Sequence, residues 1–358
     1  MKAWQLERLG GALTLQERPI PEPGPGAVVV RMQASSLMSY MQDYVAGDLP
    51  NYRVPDSAFV PGGNGTGVIH AVGEGVWHLH PGQRVVTSSH FVANENVREP
   101  AQVLLGITAL APPAERVQAH WPDGTLCDYA LLPASVATPA EGLDAVDPVR
   151  LAVTTRFVVP YGGLLRGRLA AGETVVVSGA TGAYGSAAVL LALAMGAGRV
   201  VAVGRNRQAL DALVAAAGER VVAVSVAGDA QADAQAIRDA AGGGAQLAFD
   251  MVGGAHDPNL TLAALRSLSR GGRLVLMGSM RVPLPIPYAE MMLNDWELLG
   301  QFMYPRDAYR RVLDLVRAGL LDLNSIRART YALPELPAAM AAAASAGNLD
   351  CVVMTHGA

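Results

Sequence analysis

The chain is poor in cysteine, in charge and in aromatic side chains. Two cysteines in 358 residues, Cys127 and Cys351, exclude a disulfide scaffold and cannot by themselves build a four-cysteine zinc site. Charged residues make up only 16%, and a formal net charge of −4 offers no basic field for nucleic acid or an anionic lipid surface. The most apolar stretch, Ser186 to Ala197, is too short to cross a bilayer and fits a buried helix. The opening residues, Met1 to Arg8, carry no apolar signal core and no lipidation motif. The expectation is a cytoplasmic protein with neither membrane nor nucleic-acid partners.

What is abundant is alanine, valine, leucine and glycine. Hydrophobic types reach 51%, enough for a large buried core, and the length suits two domains at about 150 residues each. The first third reads as short strands punctuated by Gly and Pro. Ala27 to Met32, Gly67 to Val72 and Gln83 to Thr87 are separated by Gly73-Glu74-Gly75 and Pro81-Gly82. That spacing predicts a small β-rich domain, with Ser88 to Pro122 as a long excursion from it.

From about Gly172 the pattern changes. Apolar runs at Thr174 to Ser178, Arg199 to Val203, Val221 to Val226, Gln246 to Asp250 and Arg273 to Met277 alternate with helical stretches. Strands apolar on both faces, separated by helices, predict a doubly wound α/β domain with a covered parallel sheet. A strand at Glu297 to Gln301 and helices at Pro305 to Ala318 and Pro334 to Ala346 follow. The chain ends in a short strand, Asp350 to Met354, which either sheet could accept. The expected division is 1–140, 141–292 and a returning segment 293–358.

The strongest local signal is Ser178-Gly179-Ala180-Thr181-Gly182-Ala183-Tyr184-Gly185, between a strand and a helix. Glycines at 179, 182 and 185 permit a sharp turn, close approach of backbone to a pyrophosphate and tight packing of helix on sheet. The helix amides around Ala183 to Ser186 then meet the negative charge. The next strand end selects the cofactor. NAD sites place an Asp or Glu there for the ribose hydroxyls. This chain has Gly204-Arg205-Asn206-Arg207, two guanidinium groups and no carboxylate, which favours the 2′-phosphate of NADPH.

Further runs extend the pattern over nearly the whole chain: Pro61-Gly62-Gly63-Asn64-Gly65-Thr66-Gly67, Ala71-Val72-Gly73-Glu74-Gly75-Val76, Pro81-Gly82-Gln83-Arg84-Val85, Gly124-Thr125-Leu126-Cys127-Asp128-Tyr129 and Gly271-Gly272-Arg273-Leu274-Val275. In that order they resemble the medium-chain dehydrogenase/reductase family. The resemblance implies a GroES-like catalytic domain, a Rossmann domain, a last segment returning to the first domain, and a cleft between them for hydride transfer. Met277, Gly278, Ser279 and Phe302 resemble the family's nicotinamide-side segments. The resemblance also suggests a homodimer formed by sheet edges near Val282 to Tyr288.

The departures are informative. Where zinc members carry a Cys this chain has Met38, and their Gly-His-Glu becomes Gly62-Gly63-Asn64. Leu151 to Tyr161 offers no Cys, His or carboxylate, and Ser88 to Pro122 contains no cysteine for a structural zinc. His78 and His80 precede a Pro-Gly turn and are expected at the surface. No metal is therefore expected. Without a Lewis acid, a quinone or α,β-unsaturated carbonyl is the less demanding hydride acceptor, which matches the zinc-free quinone oxidoreductase and enone reductase branches. An alcohol or aldehyde dehydrogenase, or a non-catalytic NADPH-binding protein, are the alternatives. Tyr40, Tyr44 and Asn64 are the candidate donors to a substrate carbonyl, with Ser39 beside them; ordinary packing is the competing role for each tyrosine. Cys127 and Asp250 are expected to serve structure, the latter by ordering the turn after its strand.

Overall fold

The computed structural model describes residues 1–93 and 96–357. Its second half is built on a six-stranded parallel sheet. The strands lie in the order Val221–Ser225, Arg199–Gly204, Thr174–Ser178, Ala245–Asp250, Leu268–Leu276, Glu297–Gly300. Both faces are covered, which explains why Val175, Val176 and Val177 are all fully buried despite pointing alternately up and down. The helix Ala183–Ala194 is apolar almost all round because the fold buries it almost all round, from Gly185 to Ala192. By contrast Arg207–Ala217 buries only Leu210 and Leu213, and Asn206 caps its start by accepting the Ala209 N–H at 3.0 Å. The order in which strands are added reverses at Thr174–Ser178, so a crevice opens at the carboxyl ends of this strand and Ala245–Asp250.

The first domain centres on Ala27–Ser36 in a seven-stranded sheet. That strand pairs antiparallel with Gly65–Val72, Tyr129–Pro133 and Asp350–Thr355. The chain end therefore joins the first domain, with Val353 opposite Ser36 and Thr355 opposite Ala34. A strand absent from the sequence reading, Arg327–Ala332, completes the edge in parallel with Asp350–Thr355. The excursion folds as a three-stranded sheet, His90–Val92, Gln102–Leu104 and Thr108–Ala109, followed by the helix Glu115–His120.

The return to the first domain comes later than residue 293. Glu297–Gly300 is the edge strand of the parallel sheet, and Ala308–Arg317 still contributes Val312 and Leu313 to the core shared with the Rossmann strands. Two helices before the parallel sheet, Pro148–Ala152 and Thr155–Arg166, were also not anticipated as separate elements. Among the described residues no helix is long and apolar enough to cross a membrane.

Candidate functional site

The glycine turn has the geometry its residues suggest. Gly179 sits at φ +75°, open to glycine at no steric cost, and a Cβ on Gly185 would lie 2.1 Å from the Gly179 carbonyl oxygen. A side chain at either position would push helix and turn apart. The first helical bond runs from the Ser186 N–H to the Gly182 carbonyl, and no side chain caps the helix. The amides of Ala183, Tyr184 and Gly185 therefore lack an intrahelical acceptor and form a donor cluster for an anion. Gly204 is required by Thr181, whose Cγ2 would lie 2.7 Å from a Cβ there. Glycine turn and second strand end thus form one continuous floor.

Beyond that floor the two arginines differ. Arg207 Nε donates to Asp211 Oδ1 at 2.8 Å one helical turn on. Asn206 is occupied with its cap. Arg205 is exposed and has no ion pair or hydrogen bond among the described residues. Arg207 already holds a partner, and Arg205 is the free guanidinium. Ser225, in register beside Gly204, adds an exposed hydroxyl that the sequence reading missed.

On the opposite wall, Gly278 and Ser279 line a groove with Asp250, Val252 and Ala255. A Cβ on Gly278 would meet the Val252 carbonyl oxygen at 2.4 Å, and Ser279 Oγ accepts the Gly254 N–H at 2.7 Å. Asp250 is committed to structure: it accepts hydrogen bonds from Ser178 Oγ, Thr261 Oγ1 and the Val252 N–H. Burial nevertheless pushes its carboxyl above the usual range. Met277 is half-buried, its sulfur 2.5 Å from where a Cβ on Gly163 would lie. Phe302 is half exposed, packs edge-on against His90 at 6.0 Å, and does not line the cleft; its neighbour Met303 does.

The cleft itself is lined from both domains. The first domain supplies Met38, Ser39, Tyr40, Gly63 and Asn64; the second supplies Thr155, Arg156, Val159 and Tyr184. Tyr40 is where the sequence reading expects it. Burial above all, then the neighbouring Tyr184 and Tyr52, raise its hydroxyl well above the ordinary phenol range, and it hydrogen-bonds Tyr52. It is a proton-bearing donor across the physiological pH range. Tyr44 is not part of the cleft. Fully buried, it donates to the Ile107 carbonyl at 2.8 Å and packs edge-on to Tyr52 at 5.4 Å. Its hydroxyl proton is thus spent on the backbone, which corrects its candidacy as a donor. Asn64 lines the cleft, but its Oδ1 accepts the Ser89 N–H and its side chain also hydrogen-bonds Tyr304. That arrangement braces the wall.

The remaining expectations are structural ones. Cys127 is buried, with its thiol pushed well up by desolvation, and His78 and His80 are exposed. The residue that sequence reasoning missed is Arg156. Its only sequence signal is a charge at the start of the otherwise apolar helix Thr155–Arg166, which ends in a second arginine.

Comparison with known proteins agrees with this architecture. The alcohol dehydrogenase GroES-like domain matches residues 24–142, and the zinc-binding dehydrogenase family matches 183–318. A protein named alcohol dehydrogenase from Moraxella sp. (strain TAE123) is 31% identical, the alignment covering 89% of each chain. Sorbitol dehydrogenase of Homo sapiens is 27% identical, covering 82% of this chain and 79% of its own. Among solved structures, alcohol dehydrogenase TADH from Thermus sp. ATN1 superposes with a TM-score of 0.78 at 24% identity, over 100% of both chains. The chain is a two-domain oxidoreductase by fold and relatives. It belongs to the medium-chain dehydrogenase/reductase family.

The zinc expected from that family does not fit the donors present. Among the described residues no three His, Cys, Asp or Glu side chains come together. Met38 presents a neutral thioether, Gly63 nothing, and Asn64 an amide oxygen already engaged by Ser89.

Proposed function

We propose that the protein is an NADP(H)-dependent oxidoreductase of alcohol-dehydrogenase type, moving hydride between a nicotinamide and an alcohol or carbonyl carbon. The relatives named alcohol and sorbitol dehydrogenase support this chemistry ahead of quinone or enone reduction. The observation that carries the cofactor assignment is the uncapped helix start at Ala183 to Gly185, beside a carboxylate-free strand end bearing the unpaired Arg205. When bound, the nicotinamide supplies or takes up the hydride, and a proton passes to or from the substrate oxygen.

The chain's own contributions follow from its geometry. The amides of residues 183–185 hold the pyrophosphate, and Arg205 with Ser225 holds the 2′-phosphate. Tyr40, whose hydroxyl otherwise donates to Tyr52, turns to donate to the substrate oxygen. Leu37, Met38, Leu104, Ile107 and Val159 keep water from the reacting carbons. No step is assigned to a metal, because the donors do not suit one.

A second reading, hydride addition to a quinone or enone, is favoured by that same donor set, since such acceptors need less polarisation. A homodimer is part of either reading. Ile286, Tyr288, Met292 and Leu293 are all at least half exposed, and they immediately precede the edge strand Glu297–Gly300. The test is cofactor consumption with a panel of alcohols, aldehydes, enones and quinones. Turnover of aldehydes or alcohols with NADP(H) supports the first reading, and turnover confined to enones or quinones selects the second. Tight cofactor binding with no turnover on any of them refutes an enzyme.

A further inference from the structure

Arg156 is the only charged side chain lining the cleft among the described residues, and it is 5% exposed. Its guanidinium has no carboxylate partner among them. One nitrogen, Nη2, donates to the Asp350 carbonyl at 2.9 Å, and the guanidinium carbon lies 5.9 Å from the Tyr184 ring centroid. Asp350, whose carbonyl it meets, has its own carboxylate committed to Arg327 and Arg329 at 2.9 and 3.0 Å. A guanidinium carries five N–H donors in a planar fork, of which a single carbonyl satisfies one. Burying a cation without a counter-charge is unfavourable, so a fold that keeps one facing a cavity has an anion site already desolvated. The rest of the lining is apolar or neutral and offers no second cation.

We infer that Arg156 recognises an anion and that the substrate carries a carboxylate in addition to its reacting carbonyl. This rests on the reading of the cleft as the substrate site. A phosphate of the dinucleotide is the other source of the same chemistry, because Tyr184 stands in the first turn of the helix assigned to the pyrophosphate.

The test separates the two. Levulinate and methyl levulinate differ in charge but share the ketone; each is titrated into the cofactor-free protein by calorimetry, and NADPH is titrated in parallel. The unaltered protein is expected to bind levulinate at least about tenfold more tightly than its ester. Arg156→Gln removes that preference and leaves ester and NADPH affinities within about threefold, whereas Arg156→Lys keeps part of it. Equal affinity for acid and ester in the unaltered protein overturns the inference, as does a preference that survives Arg156→Gln. A tenfold loss confined to NADPH assigns the arginine to the cofactor and overturns it too. If Arg156→Gln does not fold, the acid–ester comparison in the unaltered protein and in Arg156→Lys decides. Absence of NADPH binding in the unaltered protein would defeat the proposed function without touching the acid–ester result.

Discussion

The two walls of the cleft are built by different means. On the Rossmann side the main chain makes the site: glycines at 179 and 185 bring amides and carbonyls to distances no side chain would permit. On the GroES-like side the work falls to side chains, and the positions where zinc members of the family carry ligands hold Met38, Gly63 and Asn64. A site made from backbone tolerates little change without losing its geometry. One made from side chains can exchange its chemistry while the strands beneath still pair, as Ala27–Ser36 does with Gly65–Val72 across two register shifts.

The sharpest way to break this contrast is Gly185→Ala. Its Cβ would press on backbone at 2.1 Å with no flexible atom to yield. Overpacking of about 1–3 kcal/mol predicts an NADPH affinity lower by between about fivefold and about 150-fold, measured by fluorescence titration. Unchanged affinity would show that the main chain is not the binding element.

On the other wall the tyrosines separate by where their protons go. Tyr40→Phe removes the donor facing the cleft and should lower kcat by at least about tenfold, below the range for full general acid catalysis only if water substitutes. Tyr44→Phe removes the bond to Ile107, costing about 1 kcal/mol of stability in denaturant melts while leaving kcat in place. The reverse pattern would move Tyr44 back into the site.

The smallest effect is a slope with pH. Burial would raise the Glu173 carboxyl, but the Arg273 fork at 2.8 and 3.0 Å and the Ala170 N–H outweigh it and hold the group below its ordinary 4.5. A depressed folded value stabilises above the unfolded pKa, and that stability fades as pH falls through the folded one. Glu173→Gln should therefore lower Tm near neutrality, with the gap to the unaltered protein closing below about pH 4.5. A gap that persists in acid would assign the loss to packing.

Much of the Rossmann half was legible because its strands are buried on both faces. Thr174–Ser178 has the bounds its valines mark, and the following glycines locate the turn. Elements whose reason lies elsewhere in the chain were not. Arg327–Ala332 is mostly exposed, without apolar alternation, and is a strand only because Asp350–Thr355 pairs with it. Pro160 and Gly162 disguise the helix Thr155–Arg166, yet Gly162 serves close packing: a Cβ there would meet the Met303 carbonyl at 2.1 Å. Tyr44 reads as a plausible donor and Arg156 draws no notice until their partners are known, and those partners, Ile107 and the Asp350 carbonyl, lie 63 and 194 positions away.

The most direct test titrates NADPH and NADH separately into the unaltered protein and into Arg205→Ala. One charge-assisted contact of about 1.5–3 kcal/mol predicts that the unaltered protein prefers NADPH by at least about tenfold and that Arg205→Ala abolishes the preference by weakening NADPH alone. Tighter binding of NADH, or equal losses for both cofactors, would contradict the account.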